Sequence, residues 1–212
     1  VRGLYPIVDV TSLERRSISV LEYAKALLVA RPHLLQLRAK KSSSRDTLAL
    51  LRALRPLCKE AGTWLFANDR PDLALLAECD GVHVGQTDLS LAEVRRVAPG
   101  LKVGVSTHDL VQLEAALAER PDYVAFGPVF GTSSKENPDA VVGLDGLARA
   151  AERAESAGIP LVAIGGITLE RAPAIGERRA LAAVIAALLP DGDDLTDTTR
   201  KARAFVSALG AD

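Results

Sequence analysis

The 212-residue chain is 48% hydrophobic and 25% charged, enough apolar content to bury a core, and its length fits one large domain or two small ones. Its 26 Lys and Arg nearly cancel 27 Asp and Glu, leaving a formal charge of −1, so no global basic field argues for nucleic acid or a membrane surface. Any anion recognition must therefore be local.

Short runs rich in Val, Ile, Leu and Ala alternate along the chain with longer stretches of helical period. "LYPIV" (4–8) precedes the helical "SVLEYAKALLVA" (19–30). "LLQLRAK" (34–40) precedes "RDTLALLRALRPLCKEA" (45–61), and "TWLFA" (63–67) precedes "PDLALLAE" (71–78). "DGVHVG" (80–85) leads to "LSLAEVRRVA" (89–98), where Ser90 and Glu93 read as a capping box. "LKVGVS" (101–106) leads to "DLVQLEAALAER" (109–120), begun by Asp109, with Leu110, Leu113, Ala116 and Leu117 on one stripe. "YVAFG" (123–127) is followed by a long loop rich in Gly, Pro, Ser and Asn, then "LDGLARAAERAESAG" (144–158). "PLVAIGG" (160–166) leads to a helix beginning at Thr168, and "LAAVIAAL" (181–188) is the eighth run, although its propensity suits a helix equally well. The tail supplies a closing helix over 194–209, begun by Asp194 or Thr196.

Strand–helix alternation implies parallel strands, because each crossover needs a helix to return the chain. Eight such units in one compact length predict a single α/β domain over 1–212, a closed (β/α)8 barrel, with an open doubly wound sheet as the alternative. No run of about 18 apolar residues could span a bilayer, and no basic-then-apolar signal pattern is present. The chain begins at Val1 without Met, which leaves room for a missing upstream segment. Cys58 and Cys79 lack CxxC spacing and a matching His cluster; buried free thiols in a reducing cytoplasm are the expectation.

In a parallel barrel, functional groups gather where strands end. "LLQLR" puts Gln36, Arg38 and Lys40 on one face and Leu35, Leu37 and Ala39 on the other. Taken alone, the polar face could be the solvated side of an edge strand. Other runs also end in polar groups, however: Asn68-Asp69-Arg70, Gln86 and Asp88, Ser106-Thr107-His108, Thr132-Ser133-Ser134-Lys135, and Gly165-Gly166. Their convergence predicts that the charged face of the second strand points to the barrel mouth.

Neighbouring strands lie ~5 Å apart, so Asp69 and Asp88 could share a hard cation. Two carboxylates completed by water and substrate oxygens is how Mg²⁺ is usually held. Arg38, Lys40 and Lys135 supply positive charge nearby, which suits a diphosphate better than a neutral sugar. "TSSK" offers hydroxyls and backbone N–H groups to an anion, and "IGGI" before a helix start offers a second phosphate site. His83 reads as a packed or internally hydrogen-bonded strand histidine, His33 as a surface residue. His108 near Ser106 lacks the context of an acyl-transfer triad.

"QLRAK", "ANDRPDLAL", "DGVHVGQTDL", "VGVSTH", "DYVAFGPVFGTSSK" and "VAIGGI", in this order and at these intervals, resemble the thiamine-phosphate synthase family from Tyr5 to about Leu188. The resemblance implies a TIM-barrel transferase that joins 4-amino-2-methyl-5-(diphosphooxymethyl)pyrimidine to 4-methyl-5-(2-phosphooxyethyl)thiazole, releasing pyrophosphate. It implies that Gln36, Arg38, Lys40, Asn68, Ser106 and Lys135 hold the pyrimidine diphosphate, with Arg38, Lys135 and Ser106 as catalytic groups. Asp69 and Asp88 would hold Mg²⁺. Thr132, Ser134 and Gly166 would cradle the thiazole phosphate with the eighth-strand loop, Ile185 and Ala186. The family's reaction is dissociative and needs no strong base, only dryness and alignment, with the loop 127–143 as a lid. Small-molecule substrates are the expected partners.

One segment departs from the family. "ERRALAAVIAAL" is one residue short, and Ile185-Ala186 stands where Ile-Ser is usual. The Ala186 N–H could still bind phosphate, but the hydroxyl is gone; Arg178 or Arg179 is the expected compensating charge. Two competing readings are a thiazole tautomerase and a non-catalytic barrel that binds thiamine precursors and regulates a partner. Oligomeric state is not legible.

Overall fold

The second strand, β2 (Leu34–Arg38), turns Leu35 and Leu37 toward the helical layer and Leu34, Gln36 and Arg38 toward the interior of a barrel. The computed structural model describes residues 2–132 and 139–210. The other strands are β1 (Gly3–Asp9), β3 (Trp64–Asn68), β4 (Gly81–Val84), β5 (Lys102–Thr107), β6 (Tyr123–Phe126), β7 (Leu161–Ile164) and β8 (Leu181–Val184). All eight pair in parallel with their sequence neighbours, and β1 also pairs with β8, Tyr5 opposite Ala183. That last pairing closes the sheet, which excludes the open doubly wound alternative and leaves no strand edge unpaired.

Helices cover the outside. α1 (Val10–Glu14) and α2 (Val20–Leu28) follow β1; α3 (Ser44–Ala61), α4 (Pro71–Leu76), α5 (Leu91–Val97) and α6 (Leu110–Ala118) follow the next four strands. α7 (Gly143–Ala157) follows β6, α8 (Ala172–Glu177) follows β7, and α9 (Leu195–Ala208) packs against α2 to complete the ring. The start signals hold at Ser90, whose capping box with Glu93 is complete, at Asp109, which accepts from the Gln112 N–H, and at Asp194, which accepts from the Thr196 N–H. Thr168 differs. It precedes a short 3₁₀ turn rather than capping a helix, and its buried hydroxyl has no partner among the described residues.

The eighth run resolves its ambiguity by dividing. Leu181–Val184 is strand, because only a strand can satisfy the facing edges of β7 and β1, and Ala186–Leu188 then turns as 3₁₀. Tertiary pairing here overrides helix propensity. Cys58 and Cys79 are buried free thiols, as expected, and burial pushes both up to about 12, so neither is a thiolate at neutral pH.

Inside the barrel, Tyr5, Phe66 and Tyr123 meet edge to face with centroids 5.6–6.5 Å apart. Such rings fit only because their neighbours are small. A Cβ on Gly104 would lie 2.0 Å from Tyr123 Cζ, and one on Gly81 would lie 2.4 Å from Phe66 Cε1. Gly104→Ala should therefore destabilise the fold by about 3 kcal/mol in urea melts, the upper range for an overpacked core. Gly100→Ala, where nothing lies within 4 Å of the added carbon, should shift stability by no more than ~0.5 kcal/mol.

Candidate active site at the barrel mouth

The C-terminal ends of the strands surround a cavity of about 440 Å³. Its floor is apolar, from Ile7, Ala125, Val162 and Ala183, and its rim is polar. Gln36, Arg38, Lys40, Asn68, Asp69, Asp88, Ser106, Thr132, Gly166, Ile185 and Ala186 all line it. The convergence expected from strand ends is thus present. Ser134 and Lys135 lie outside the described residues, as does the middle of the expected lid.

Asp69 follows the last residue of β3 in the left-handed region, φ +62°, where Asp and Asn are better tolerated than most side-chain-bearing residues. Its N–H donates to the His83 carbonyl at 2.8 Å, which pins the turn to β4. Asp88 is oriented by the Gly85 N–H, which donates to Oδ2 at 2.7 Å. Burial raises the Asp69 carboxyl above its ordinary range, Lys40 at 3.1 Å draws it down, and the adjoining Asp88 raises it again by charge and hydrogen bond. The two acids therefore share one pocket, and the cation paired with Asp69 is itself a rim residue. Among the described residues no third His, Cys, Asp or Glu joins them to form a three-ligand cluster.

Arg38 is held by a residue that sequence reasoning missed. Asp9 is its register partner on β1, and Arg38 Nη1 donates to Asp9 Oδ1 at 2.5 Å. The other oxygen, Oδ2, accepts from the Ser12 N–H and hydroxyl as it caps α1. Asp9 is 7% exposed, so the pairing is sheltered from solvent. The signal was available: Tyr5, Ile7 and Asp9 share a strand face by the same alternation that exposed Gln36 and Arg38.

A second feature lies beneath the rim. Gln36 Nε2 donates to Tyr5 OH at 2.9 Å, and Tyr5 OH meets Tyr123 OH at 2.8 Å. His83 Nδ1 lies 2.8 Å from Tyr123 OH, and His83 Nε2 lies 2.7 Å from Ser106 Oγ. Burial lowers His83 to about 4, Asp88 opposing and Lys40 adding to the shift. The expected internally hydrogen-bonded histidine is found, with partners that no local pattern reveals. Ser106 thus has a histidine neighbour, yet the far ring nitrogen meets a phenol, not a carboxylate, so no acyl-transfer triad forms. His108 turns instead to the Gly127 carbonyl at 2.7 Å and lies 3.5 Å from Asp139 Oδ2.

The opposite rim carries Gly165 and Gly166, with φ +99° and +62°. A Cβ on Gly165 would lie 2.5 Å from Pro128 Cα, and one on Gly166 would lie 2.4 Å from the Gly131 carbonyl oxygen, so both must be glycine. Arg171 donates to the Gly166 carbonyl at 2.7 Å and lies over the Phe130 ring. The expected compensation by Arg178 or Arg179 is not realised. Both precede β8, at the other end of the barrel; Arg178 donates to the Ala174 carbonyl and Arg179 pairs with Glu155.

The family model for thiamine monophosphate synthase matches residues 4–188. Curated thiamine-phosphate synthases from Escherichia coli (strain K12) and Shigella flexneri are each 42% identical over 174 residues, covering 82% of this chain and 77% of the relative. The solved structure of a thiamine phosphate pyrophosphorylase from Pyrococcus furiosus matches with a TM-score of 0.84 at 27% identity, over 99% of this chain and 96% of that one. The phosphoribosyl anthranilate isomerase from Thermotoga maritima, at 16% identity and a TM-score of 0.64, covers 99% of this chain and 100% of its own. That likeness shows the fold alone.

The depressed His83 value has a signed consequence. Between its folded value of about 4 and its ordinary value of 6.5, the unfolded chain binds the extra proton and the folded chain does not. Stability from this group is complete above that window and is lost as pH falls through it, on the order of 3 kcal/mol in all. Urea melts from pH 7.5 to 4.5 should record that decline, and His83→Gln should flatten it.

Proposed function

The chain belongs to the thiamine monophosphate synthase family, and from that membership we propose that it condenses 4-amino-2-methyl-5-(diphosphooxymethyl)pyrimidine with 4-methyl-5-(2-phosphooxyethyl)thiazole. The products are thiamine phosphate and pyrophosphate. One observation carries the reading: Asp69 and Asp88 meet in a single pocket whose rim also presents Arg38 and Lys40. Carboxylates alone would repel a diphosphate, and cations alone would need no acids beside them. Together they suit a metal-bound diphosphate.

The residues present fit a magnesium ion. Both acids offer hard oxygen donors, and burial together with the adjoining Asp88 raises the proton affinity of Asp69. Asp69 and Asp88 would hold the ion, and its chemistry would be charge stabilisation on the departing diphosphate. Arg38, held in place by Asp9, grips a phosphate oxygen with its remaining guanidinium donors. Lys40 adds a mobile point charge beside Asp69. As the carbon–oxygen bond breaks, its electron pair leaves with the diphosphate, and the thiazole nitrogen lone pair then bonds to the pyrimidine methylene. No proton transfer is required, in keeping with a His83 too weakly basic to act at neutral pH. Gln36, Asn68 and Ser106 orient the pyrimidine, while Gly166, Thr132, Ile185 and Ala186 face the thiazole phosphate. The apolar floor excludes water that would trap the methylene cation. We place the enzyme in the cytoplasm, where its buried free thiols would persist.

Pyrophosphate release should require both substrates and Mg²⁺. Tautomerisation of a thiazole without diphosphate release, or tight binding without turnover, would replace this reading by an isomerase or a regulatory barrel. Asp88→Ala should lower turnover about 100-fold or more while leaving the far-UV circular dichroism unchanged. Full activity of that variant at low Mg²⁺ would remove Asp88 from the metal site.

A further inference from the structure

The hydrogen bonds between Gln36 and Ser106 form one chain of four links through Tyr5, Tyr123 and His83, buried except at the part-buried Ser106 end. Tyr123 is its centre. It is 3% exposed, does not line the cavity, and stacks on His83 with 5.6 Å between ring centroids.

The donor inventory of the chain fixes its direction. Each phenol has one hydrogen. The Gln36 amide nitrogen can only donate, so Tyr5 accepts there and directs its single hydrogen to Tyr123. Tyr123 then directs its own hydrogen to His83 Nδ1. The imidazole hydrogen must therefore sit on Nε2, and Ser106 accepts it. Were Nδ1 the protonated nitrogen, Tyr123 would have to donate back to Tyr5. The Tyr5 hydrogen would then be stranded inside the barrel, at the cost of an unsatisfied buried donor. With the Gln36 nitrogen facing Tyr5, no later link can be reversed without that loss.

The two ends face the cavity. With the chain running from Gln36 to Ser106, the groups left uncommitted among the described residues are the Gln36 carbonyl oxygen, an acceptor, the second hydrogen of the Gln36 amide, a donor, and the Ser106 hydroxyl hydrogen, a donor. We propose that Tyr5, Tyr123 and His83 are positioning residues that hold the mouth in this single polarity, so that the site takes a ring offering an exocyclic amine and a ring-nitrogen acceptor and rejects its oxo counterpart. This rests on the reading of the substrate as an aminopyrimidine diphosphate, and it assigns the recognition of the amine to polarity transmitted through residues on β1, β4 and β6. An oxo group opposite the Gln36 oxygen would set two lone pairs against each other in a partly dry pocket, and sites of this kind discriminate strongly.

Two measurements test it. A long-range ¹H–¹⁵N spectrum of the substrate-free protein should show His83 as the Nε2–H tautomer; the Nδ1–H tautomer would overturn the proposal. This readout needs no turnover, so it stands or falls apart from the assigned reaction. Secondly, wild type should prefer the amino substrate to the 4-oxo pyrimidine diphosphate by about 100-fold or more in kcat/KM. Tyr123→Phe cuts the chain at its centre and frees each end to reorient. Its preference should fall about tenfold or more, with KM for the pyrimidine rising more than kcat falls. A merely structural role for Tyr123 would lower activity toward both analogues alike and leave the ratio unmoved, which would also overturn the proposal. If Tyr123→Phe does not fold, the tautomer and the wild-type preference decide.

Discussion

A closed eight-stranded barrel forces every second residue of each strand into its interior, and the site depends on that parity. Leu34, Gln36 and Arg38 rise through the interior on β2, while Tyr5, Ile7 and Asp9 do so on β1. Gly104 and Ser106 do so on β5. Reading upward, the interior passes from aliphatic side chains through three aromatic rings to amides, acids and cations. A slip of one residue in β2 would send Leu35 and Leu37 into the mouth and strand Gln36 and Arg38 beneath the helices. Such a slip is opposed at both levels at once, by lost apolar burial outside and by unpaired charge inside.

The charges at the mouth are balanced in pairs rather than by an overall field. Among the described residues Asp9 answers Arg38 and Lys40 answers Asp69, while burial and then the adjoining Asp88 raise Asp69. The chain as a whole is nearly neutral, so attraction for an anion cannot come from long range. Any such attraction is local, from Arg38, which is largely sheltered, and from Lys40, which is half exposed. Asp9 has a particular part in this. Being nearly buried and fixed by Ser12, it removes conformational freedom from Arg38 before any ligand arrives.

How much of this was legible in the sequence depended on whether the information was periodic. The strand–helix rhythm and the parity of "LLQLR" are local, and both carried directly to the barrel and its mouth. The approach of Asp69 to Asp88 followed from adjacency of consecutive strands. Asp9 obeys the same alternation but sits one position past the apolar run, where it doubles as the cap of the short helix α1, so a search for apolar segments stopped too early. The contact between Tyr5 and Tyr123 joins residues 118 positions apart, and no window along the chain contains it. Arg178 and Arg179 show the converse error. Their charge suggested a phosphate, but they precede β8 and so belong to the far end of the barrel, a matter of chain direction rather than residue type.

The polar chain through the barrel is poorly explained by stability. A buried hydrogen bond contributes a net ~0.5–1.5 kcal/mol, and replacing both partners by apolar groups of like shape is nearly neutral. Ile, Val and Leu fill the interior of many such barrels, and the glycines at 81 and 104 would be unnecessary if no large rings had to be housed. Here two phenols and an imidazole occupy the central layer, and two glycines make room for the aromatic rings there. An interior built this way accepts packing constraints that an aliphatic plug would avoid. What it gains is orientation: groups at two distant points of the rim, on β2 and β5, are tied to a common interior and cannot rotate independently. For the proposed condensation, which would require alignment more than proton transfer, that rigidity is the contribution an aliphatic core could not make.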